Sequence, residues 1–120
     1  MPGITIAEAA RQTGISAHTL RYYERIGLLD RVARDGDRRR FGDDDLARVE
    51  FLRCLRATGM PIRRMREYVE LVRRGPTTGD ERRYLLEEHR DAVLSELDRL
   101  QRELVVIEKK IAIYNGGPTT

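Results

Sequence analysis

The chain has 120 residues, 36% of them charged and 6% aromatic, which suits one ordinary domain, or a small domain with an extended element, around a modest core. One cysteine and two histidines cannot form an internal disulfide or, by themselves, a four-ligand zinc site, so we expect no metal and no other cofactor. No apolar segment approaches the roughly 20 residues that span a bilayer and no signal peptide is evident, which predicts a cytoplasmic protein without a membrane partner.

Charge is distributed unevenly along the chain. Residues 1–75 carry 16 Arg against 11 Asp and Glu, a net charge of +5, whereas residues 76–120 carry 5 Arg and 2 Lys against 9 carboxylates, a net charge of −2. A basic first part followed by a neutral to acidic second part is typical of a nucleic-acid-binding head joined to a partner-binding tail. No acid, base and nucleophile are grouped anywhere, so an enzyme is not expected.

Two short helices are predicted at the start of the chain. Thr5 and Glu8 have the spacing of a capping box, which predicts a helix that ends at Gly14. Ser16 is the candidate N-cap of a second helix, which follows after a tight turn. Two short helices that meet at a steep angle are typical of a helix-turn-helix motif.

The second helix places basic and aromatic side chains on one side. Positions 18, 21, 22 and 25 share a side by helical spacing, while Leu20 and Tyr23 can face a core. Arginine can bond a guanine edge or a phosphate, and a tyrosine hydroxyl can reach a phosphate oxygen, so this side suits DNA. For these four positions alone, the simpler interpretation is a solvated helix face.

Three segments of this region match a known pattern: I-A-E-A-A at residues 6–10, T-G-I-S at residues 13–16, and T-L-R-Y-Y-E followed by G-L-L within residues 19–29. With them the chain resembles the DNA-binding domain of the MerR family of bacterial transcription regulators. The resemblance implies a dimer on double-stranded promoter DNA, activation by untwisting an over-long promoter spacer, and only indirect contact with RNA polymerase. The DNA-binding candidates on the second helix are His18, Thr19, Arg21, Tyr22 and Tyr23, with Thr19 and Tyr23 divided between phosphate contact and packing.

A small β-hairpin is predicted after the second helix. The Asp-Gly pair at residues 35–36 is a strong turn signal, and its flanks are short enough to pair as a wing beside the helix-turn-helix motif. Arg38, Arg39 and Arg40 follow the turn and alternate faces in an extended strand. The alternative is an exposed basic loop.

The resemblance implies that this wing contacts the DNA backbone. Arg39 and Phe41 match the arginine and the last aromatic residue of the family's Gly-Tyr-Arg-x-Tyr pattern. Asp37 and Arg38 stand where the glycine and the first tyrosine are expected, so the turn is predicted to shift by one residue.

Two further helices follow the wing. The three aspartates at residues 43–45 suit the positive end of a third helix better than a metal site, because consecutive acids splay around the axis. This helix is predicted to end at Gly59, and Pro61 starts a fourth helix that closes at Gly75.

A long helix without proline or glycine is predicted from residue 80 to residue 114, about 50 Å in length. Its apolar residues repeat at alternating spacings of four and three, with Arg90 as the one polar break. The residues of this seam are Val93, Leu97, Leu100, Leu104, Ile107, Ile111 and Tyr114. Nothing else in the chain can cover so narrow a stripe, which predicts a homodimer through a coiled coil, and the resemblance implies an antiparallel one.

The predicted fold is therefore mostly α. It has a winged helix-turn-helix head at residues 1–42, a helix pair at residues 43–75, a dimerisation helix at residues 76–114 and a flexible tail at residues 115–120.

The one cysteine, Cys54, lies in the third helix. A cysteine in an amphipathic helix is more often a small buried hydrophobe than a reactive thiol. However, the segment C-L-R-A-T-G-M-P-I at residues 54–62 resembles the single-cysteine MerR subgroup that responds to aldehydes, other carbonyl electrophiles and nitrosative stress. The resemblance implies that an electrophile or oxidant modifies Cys54 and changes the twist of bound DNA. Sensing of mercury, copper or zinc is disfavoured, because the cysteines of the metal-sensing members are missing here.

Two other functions fit the same residues. The first is a regulator that binds a small ligand without covalent chemistry, between the fourth helix and the coiled coil, near Tyr68, Val72 and Tyr84, with Cys54 purely structural. The second is a coiled-coil adaptor whose basic head is merely solvated.

Overall fold

The structure, a computed structural model, describes residues 3–30, 34–35 and 38–117, and for residues 34, 35, 38 and 39 it describes the backbone alone. The described residues are mostly helical and end in a long helix, as predicted. The α-helices are α1 (Ile6–Thr13), α2 (Ala17–Arg25), α3 (Asp43–Ala57), α4 (Ile62–Arg73) and α5 (Gly79–Tyr114), with a 3-10 turn at Pro76–Thr78. Two short strands, β1 (Arg34–Asp35) and β2 (Arg38–Arg39), lie between α2 and α3.

The first two helices begin at the predicted caps. Thr5 Oγ1 accepts a hydrogen bond from the amide of Glu8 (3.2 Å), and Ser16 Oγ accepts one from the amide of Thr19 (3.1 Å). Only half of the predicted capping box forms, because the Glu8 carboxylate turns instead to Arg11, whose Nε donates to it at 2.8 Å. This bond, with a second from Gln12, lowers the pKa of Glu8 to about 2.

The two strands pair antiparallel, with Arg34 opposite Arg39 and Asp35 opposite Arg38. Of the predicted Asp-Gly turn pair, Asp35 lies at the end of β1, and residue 36 lies outside the described part of the chain. Beyond β2, Phe41 forms an isolated antiparallel bridge with Ile4, in which each amide donates to the other residue's carbonyl oxygen (2.9 and 2.8 Å). The start of the chain is thereby tied to Phe41, two residues before α3.

Gly3 is expected to be essential for this bridge. A Cβ at position 3 would lie 2.3 Å from the carbonyl oxygen of Phe41, so Gly3→Ala must displace one of the two segments. We expect the substitution to lower the free energy of unfolding by about 1 to 3 kcal/mol, measured by urea denaturation.

Gly79→Ala is the matched control, because Gly79 has helical φ and ψ of −55° and −44° and a Cβ there meets no atom within 4 Å. This variant should be neutral or slightly stabilising, by up to about 1 kcal/mol. Equal stability of the two variants would show that the Ile4 to Phe41 bridge contributes nothing.

The core of the first part of the chain lies where α1 packs against α2 and α3, and where α3 packs against α4. Leu20 of α2, Leu52 of α3 and Met65 of α4 are each at most 1% exposed. Met60, in the turn between α3 and α4, is also buried, with 2% of its surface exposed. The three aspartates begin α3, and the Asp45 carboxylate accepts a hydrogen bond from the amide of Gly42 (2.8 Å).

The chain divides into two compact units, residues 1–82 and 83–120. The first turn of α5 belongs to the first unit, because Arg82 donates to Thr78 Oγ1 (3.0 Å) and to the carbonyl oxygen of Gly75 (2.9 Å). The predicted boundary at residue 75 lies just before the 3-10 turn, and the division between the two units falls within α5.

The second unit consists of the rest of α5 and the residues that follow it. Leu97, Leu100, Leu104, Ile107 and Ile111 of the seam each leave 50% to 55% of their surface exposed. Val105 and Val106, outside the seam, are similarly exposed. After the helix, Gly117 donates to the carbonyl oxygen of Ala112 (2.7 Å), so the predicted flexible tail is hydrogen-bonded up to residue 117, and residues 118–120 lie outside the description. None of the helices described is both long and apolar enough to cross a membrane.

Candidate nucleic-acid interface

The exposed face of α2 carries the side chains that the sequence selects for DNA contact. His18, Arg21 and Arg25 are exposed and Tyr22 keeps 37% of its surface accessible. On the opposite face, Leu20 is 1% exposed and packs into the core. The helical spacing therefore predicts both faces correctly. The Leu20 side of α2 is buried, and the opposite side presents a basic and aromatic surface.

Two side chains on this face contact each other. The Arg25 guanidinium lies over the ring of Tyr22, 5.5 Å from its centroid, which is a cation–π contact. Among the residues that the structure describes, no carboxylate pairs with Arg21, so its guanidinium remains available for a phosphate or a guanine edge.

Tyr23 belongs to the core rather than to this surface. Only 5% of it is exposed, and its ring centroid lies 6.2 Å from that of Tyr22. Burial raises the pKa of the Tyr23 hydroxyl, although the nearby charge of Arg56 acts in the opposite direction. Of the two roles open to Tyr23 in the sequence, the structure favours packing over phosphate contact.

Thr19 is half-buried, and its hydroxyl oxygen accepts a hydrogen bond from Ser16 Oγ (3.0 Å). Its side chain thus belongs to the N-terminal cap of α2, next to the exposed face. A phosphate contact from Thr19 would have to share this hydroxyl with the cap.

The three arginines that the sequence assigns to a predicted wing lie in β2 and directly after it. Arg38 and Arg39 form β2, where the structure describes their backbone only, and Arg40 follows them with a half-buried side chain. Phe41, next in the chain, is 2% exposed and anchors this segment on the core. Arg38 and Arg39 thus lie in the strand pair, and Arg40 lies between it and the Ile4 bridge.

Cys54 is exposed in the single chain, so its interpretation as a buried core residue is wrong. The buried face of α3 is formed by Val49, Leu52 and Leu55, and Cys54 lies outside it. Within the described residues, no three His, Cys, Asp or Glu side chains are grouped to hold a metal ion.

The residues predicted to bind a small ligand lie in both units. In the first unit, Tyr68 packs its half-buried ring on that of Phe51, with 5.4 Å between the centroids, and Val72 is half-buried. In the second unit, Tyr84 exposes 65% of its surface.

One contact beside the α2 face was not predicted from the sequence. Arg73, in the last turn of α4, donates hydrogen bonds to Gly27 and Asp30 in the turn that follows α2. These partners are 46 and 43 residues away along the chain, and no local pattern signals a pair so distant.

The family comparisons cover nearly all of the chain. The profile of the MerR HTH family of regulatory proteins matches residues 4–72, and a profile described as MerR, DNA binding matches residues 46–111. An HTH-type transcriptional regulator of Haemophilus influenzae is 40% identical over 111 residues, which are 92% of this chain and 82% of that protein. The HTH-type transcriptional regulator AdhR of Bacillus subtilis is 37% identical over 92 residues, 76% of this chain and 66% of AdhR.

The fold also has a similar solved structure. The crystal structure of HiNmlR, described as a MerR family regulator lacking the sensor domain and bound to promoter DNA, superposes with a TM-score of 0.86 at 39% identity. The match covers 97% of this chain and 92% of that one.

Proposed function

We propose that this chain, which belongs to the MerR family of helix-turn-helix regulatory proteins, binds promoter DNA as a homodimer. As a member of this family it is a DNA-binding transcriptional regulator and not an enzyme. The single observation that supports a DNA-binding role for this part of the chain is the exposed basic and aromatic face of α2. His18, Arg21 and Tyr22 reach the major groove or its flanking phosphates, while Leu20 holds the helix on the core.

The strand pair acts as the wing in this proposal. Arg38, Arg39 and Arg40 contact the DNA backbone beside the groove that α2 enters. Their extended backbone supports this role, because alternate residues of a strand point to opposite sides and at least one arginine can then face a phosphate.

The seam of α5 forms the dimer interface. Its leucine and isoleucine side chains are half exposed in the single chain, and burying each of them fully is worth roughly 1.5 to 3 kcal/mol. Two copies that pair their seams antiparallel in a coiled coil bury this stripe on both sides. The dimer then presents two α2 faces to the two halves of a pseudo-palindromic site.

Arg21→Ala tests whether this face binds DNA. The probes are a duplex enriched from a random-sequence pool by this protein, here called the selected duplex, and an unrelated duplex of equal length. If Arg21 contacts a base, we expect a loss of about 1 to 3 kcal/mol on the selected duplex and a smaller loss on the unrelated one. If it contacts a phosphate, both affinities fall and the slope of log K against log salt concentration decreases by about one.

Arg102→Ala is the matched control, since it removes the same charge from the second unit, where Arg102 pairs with Asp98. Equal losses from both substitutions would mean that only net charge matters. Failure to enrich any duplex above random DNA at physiological salt would instead favour the coiled-coil adaptor.

We further propose that regulation acts through the DNA's twist. A dimer that bends or untwists the spacer between two promoter elements aligns them for RNA polymerase without touching the enzyme. The similarity to a regulator crystallised on promoter DNA supports the promoter as the site of action.

The proposed signal is covalent modification of Cys54. Its exposure supports this proposal, together with the resemblance of residues 54–62 to the single-cysteine subgroup. The Cys54 thiolate adds to the carbonyl carbon of an aldehyde and forms a C–S bond, while the carbonyl oxygen takes the proton that the thiol has lost. The product is a hemithioacetal, and no electrons are exchanged. A peroxide would instead convert the thiol to a sulfenic acid and leave as water or an alcohol.

A further inference from the structure

Arg73 joins the last turn of α4 to the turn that follows the DNA-facing helix. Its Nη2 donates to the carbonyl oxygen of Gly27 (2.7 Å) and to Asp30 Oδ1 (2.9 Å), and its Nε donates to the same Asp30 oxygen (3.2 Å). One planar guanidinium thus holds two acceptors, which fixes both its distance from the turn and its orientation. We call these three residues the Arg73 clamp.

The turn held by the clamp is itself attached to α2. The amides of Leu28 and Leu29 both donate to the carbonyl oxygen of Tyr23 (2.8 and 3.2 Å), and both leucine side chains are buried. Gly27 has a positive φ of 86°, which an L side chain rarely adopts, so its carbonyl is directed by a tight turn. Any shift of this turn therefore moves the C-terminal end of α2.

The turn of α4 that contains Arg73 is also linked to the beginning of α5. Thr78, which is 4% exposed, donates through Oγ1 to the carbonyl oxygen of Leu71 (2.6 Å) and accepts from Arg82 Nε (3.0 Å). Leu71 and Arg73 lie in the same last turn of α4. Hydrogen bonds therefore join the first turn of α5 to the last turn of α4, and a second set joins the last turn of α4 to the turn after α2.

We propose that Arg73 is a positioning residue for DNA binding, which sets the angle of α2 against α4 without contacting DNA. This inference rests on the proposed function, because it assigns Arg73 a role in the use of the α2 face. Movement at the start of α5 then reaches the DNA-facing surface through the clamp, since α4 cannot shift without displacing Gly27 and Asp30.

The sign of one substitution separates positioning from direct charge effects. Asp30 is acidic and its side chain is 70% exposed, so removing its charge would by electrostatics alone strengthen binding to a polyanion. If Asp30 acts through the clamp, Asp30→Asn should instead weaken binding to the selected duplex, by about 3- to 30-fold. Asp44→Asn, at an exposed acid in the first turn of α3, is the matched control and should leave binding unchanged or slightly stronger.

Arg73→Gln should weaken binding by a similar factor, and the Asp30→Asn/Arg73→Gln double variant should be no weaker than either single variant. Arg66→Gln, an exposed arginine on the same helix, controls for the loss of one positive charge. Arg73→Lys keeps the charge but cannot hold both acceptors from one planar group, so its affinity should be intermediate. Melting temperatures should stay close to the wild-type value, because exposed ion pairs contribute little to stability.

Amide hydrogen exchange of the protein without DNA provides a readout that is independent of the proposed function. Arg73→Gln and Asp30→Asn should accelerate exchange at the amides of Leu28 and Leu29, whereas Arg66→Gln should not. The proposal is overturned if exchange there is unchanged, or if exchange accelerates while affinity for the selected duplex stays at the wild-type value. Stronger DNA binding by Asp30→Asn would overturn it as well. A wild-type protein that selects no duplex would refute the proposed function, while the exchange experiment would still decide whether the clamp holds the turn.

Discussion

Leu104→Glu is expected to convert the protein from a dimer into a monomer. Leu104 lies in the middle of the proposed seam and leaves 51% of its surface exposed in the single chain. In a two-fold symmetric dimer the substitution occurs twice, so the interface loses two leucine side chains, worth roughly 3 to 6 kcal/mol together. Two carboxylates also lose water on association, so the dimer dissociation constant should rise at least about 100-fold.

Analytical ultracentrifugation over a range of concentrations measures this effect without DNA. Val106→Glu is the matched control, because Val106 is 64% exposed on the same helix, two positions further on and outside the seam. We expect Val106→Glu to remain a dimer at concentrations where Leu104→Glu is monomeric. The monomer should also bind the selected duplex far more weakly, since it contacts one half-site only. A Leu104→Glu protein that dimerises like the wild type would refute the coiled-coil seam.

Cys54→Ser is expected to abolish the response of the DNA complex to electrophiles. Cys54 is the only cysteine in the sequence and is exposed, so iodoacetamide, which is selective for thiols, should label one site in the wild-type protein. We expect the label, detected by mass spectrometry near neutral pH, to change the affinity or the twist of the selected duplex. In Cys54→Ser, neither the label nor the change in DNA should occur.

Methylglyoxal is the second reagent, and it needs the same control because it also reacts with arginine, of which this chain has many. A response that persists in Cys54→Ser comes from arginine modification. A Cys54 that reacts without any change in bound DNA would refute thiol sensing. If Cys54 does not react and an unreactive metabolite raises the melting temperature in a dose-dependent manner, the non-covalent ligand is favoured instead.

Sequence reasoning succeeds in the head for most features that depend on neighbours within one helical turn. The caps at Thr5 and Ser16 need only an oxygen and an amide three residues further on. The two faces of α2 follow from helical spacing, which separates Tyr22 from Tyr23 although they are adjacent. The Glu8 half of the capping box fails because an arginine at i+3 competes for the carboxylate.

Features that depend on packing between distant segments could not be derived in this way. The bridge between Ile4 and Phe41, and the clamp between Arg73 and Asp30, join residues whose sequence neighbourhoods give no sign of each other. The exposure of Cys54 depends on which face of α3 the other helices cover, and general statistics for cysteine favour burial.

The bridge between Ile4 and Phe41 also determines how the DNA-facing surface can form during folding. Helices α1 and α2 have eight and nine residues, fewer than the roughly 12 to 15 that an isolated helix needs in water. They therefore depend on the burial of their apolar sides, which follows when the chain closes from residue 4 to residue 41 and α3 packs underneath. A peptide cut out around α2 would be unstructured, so the exposed α2 face that we propose binds DNA forms only when the whole head is folded.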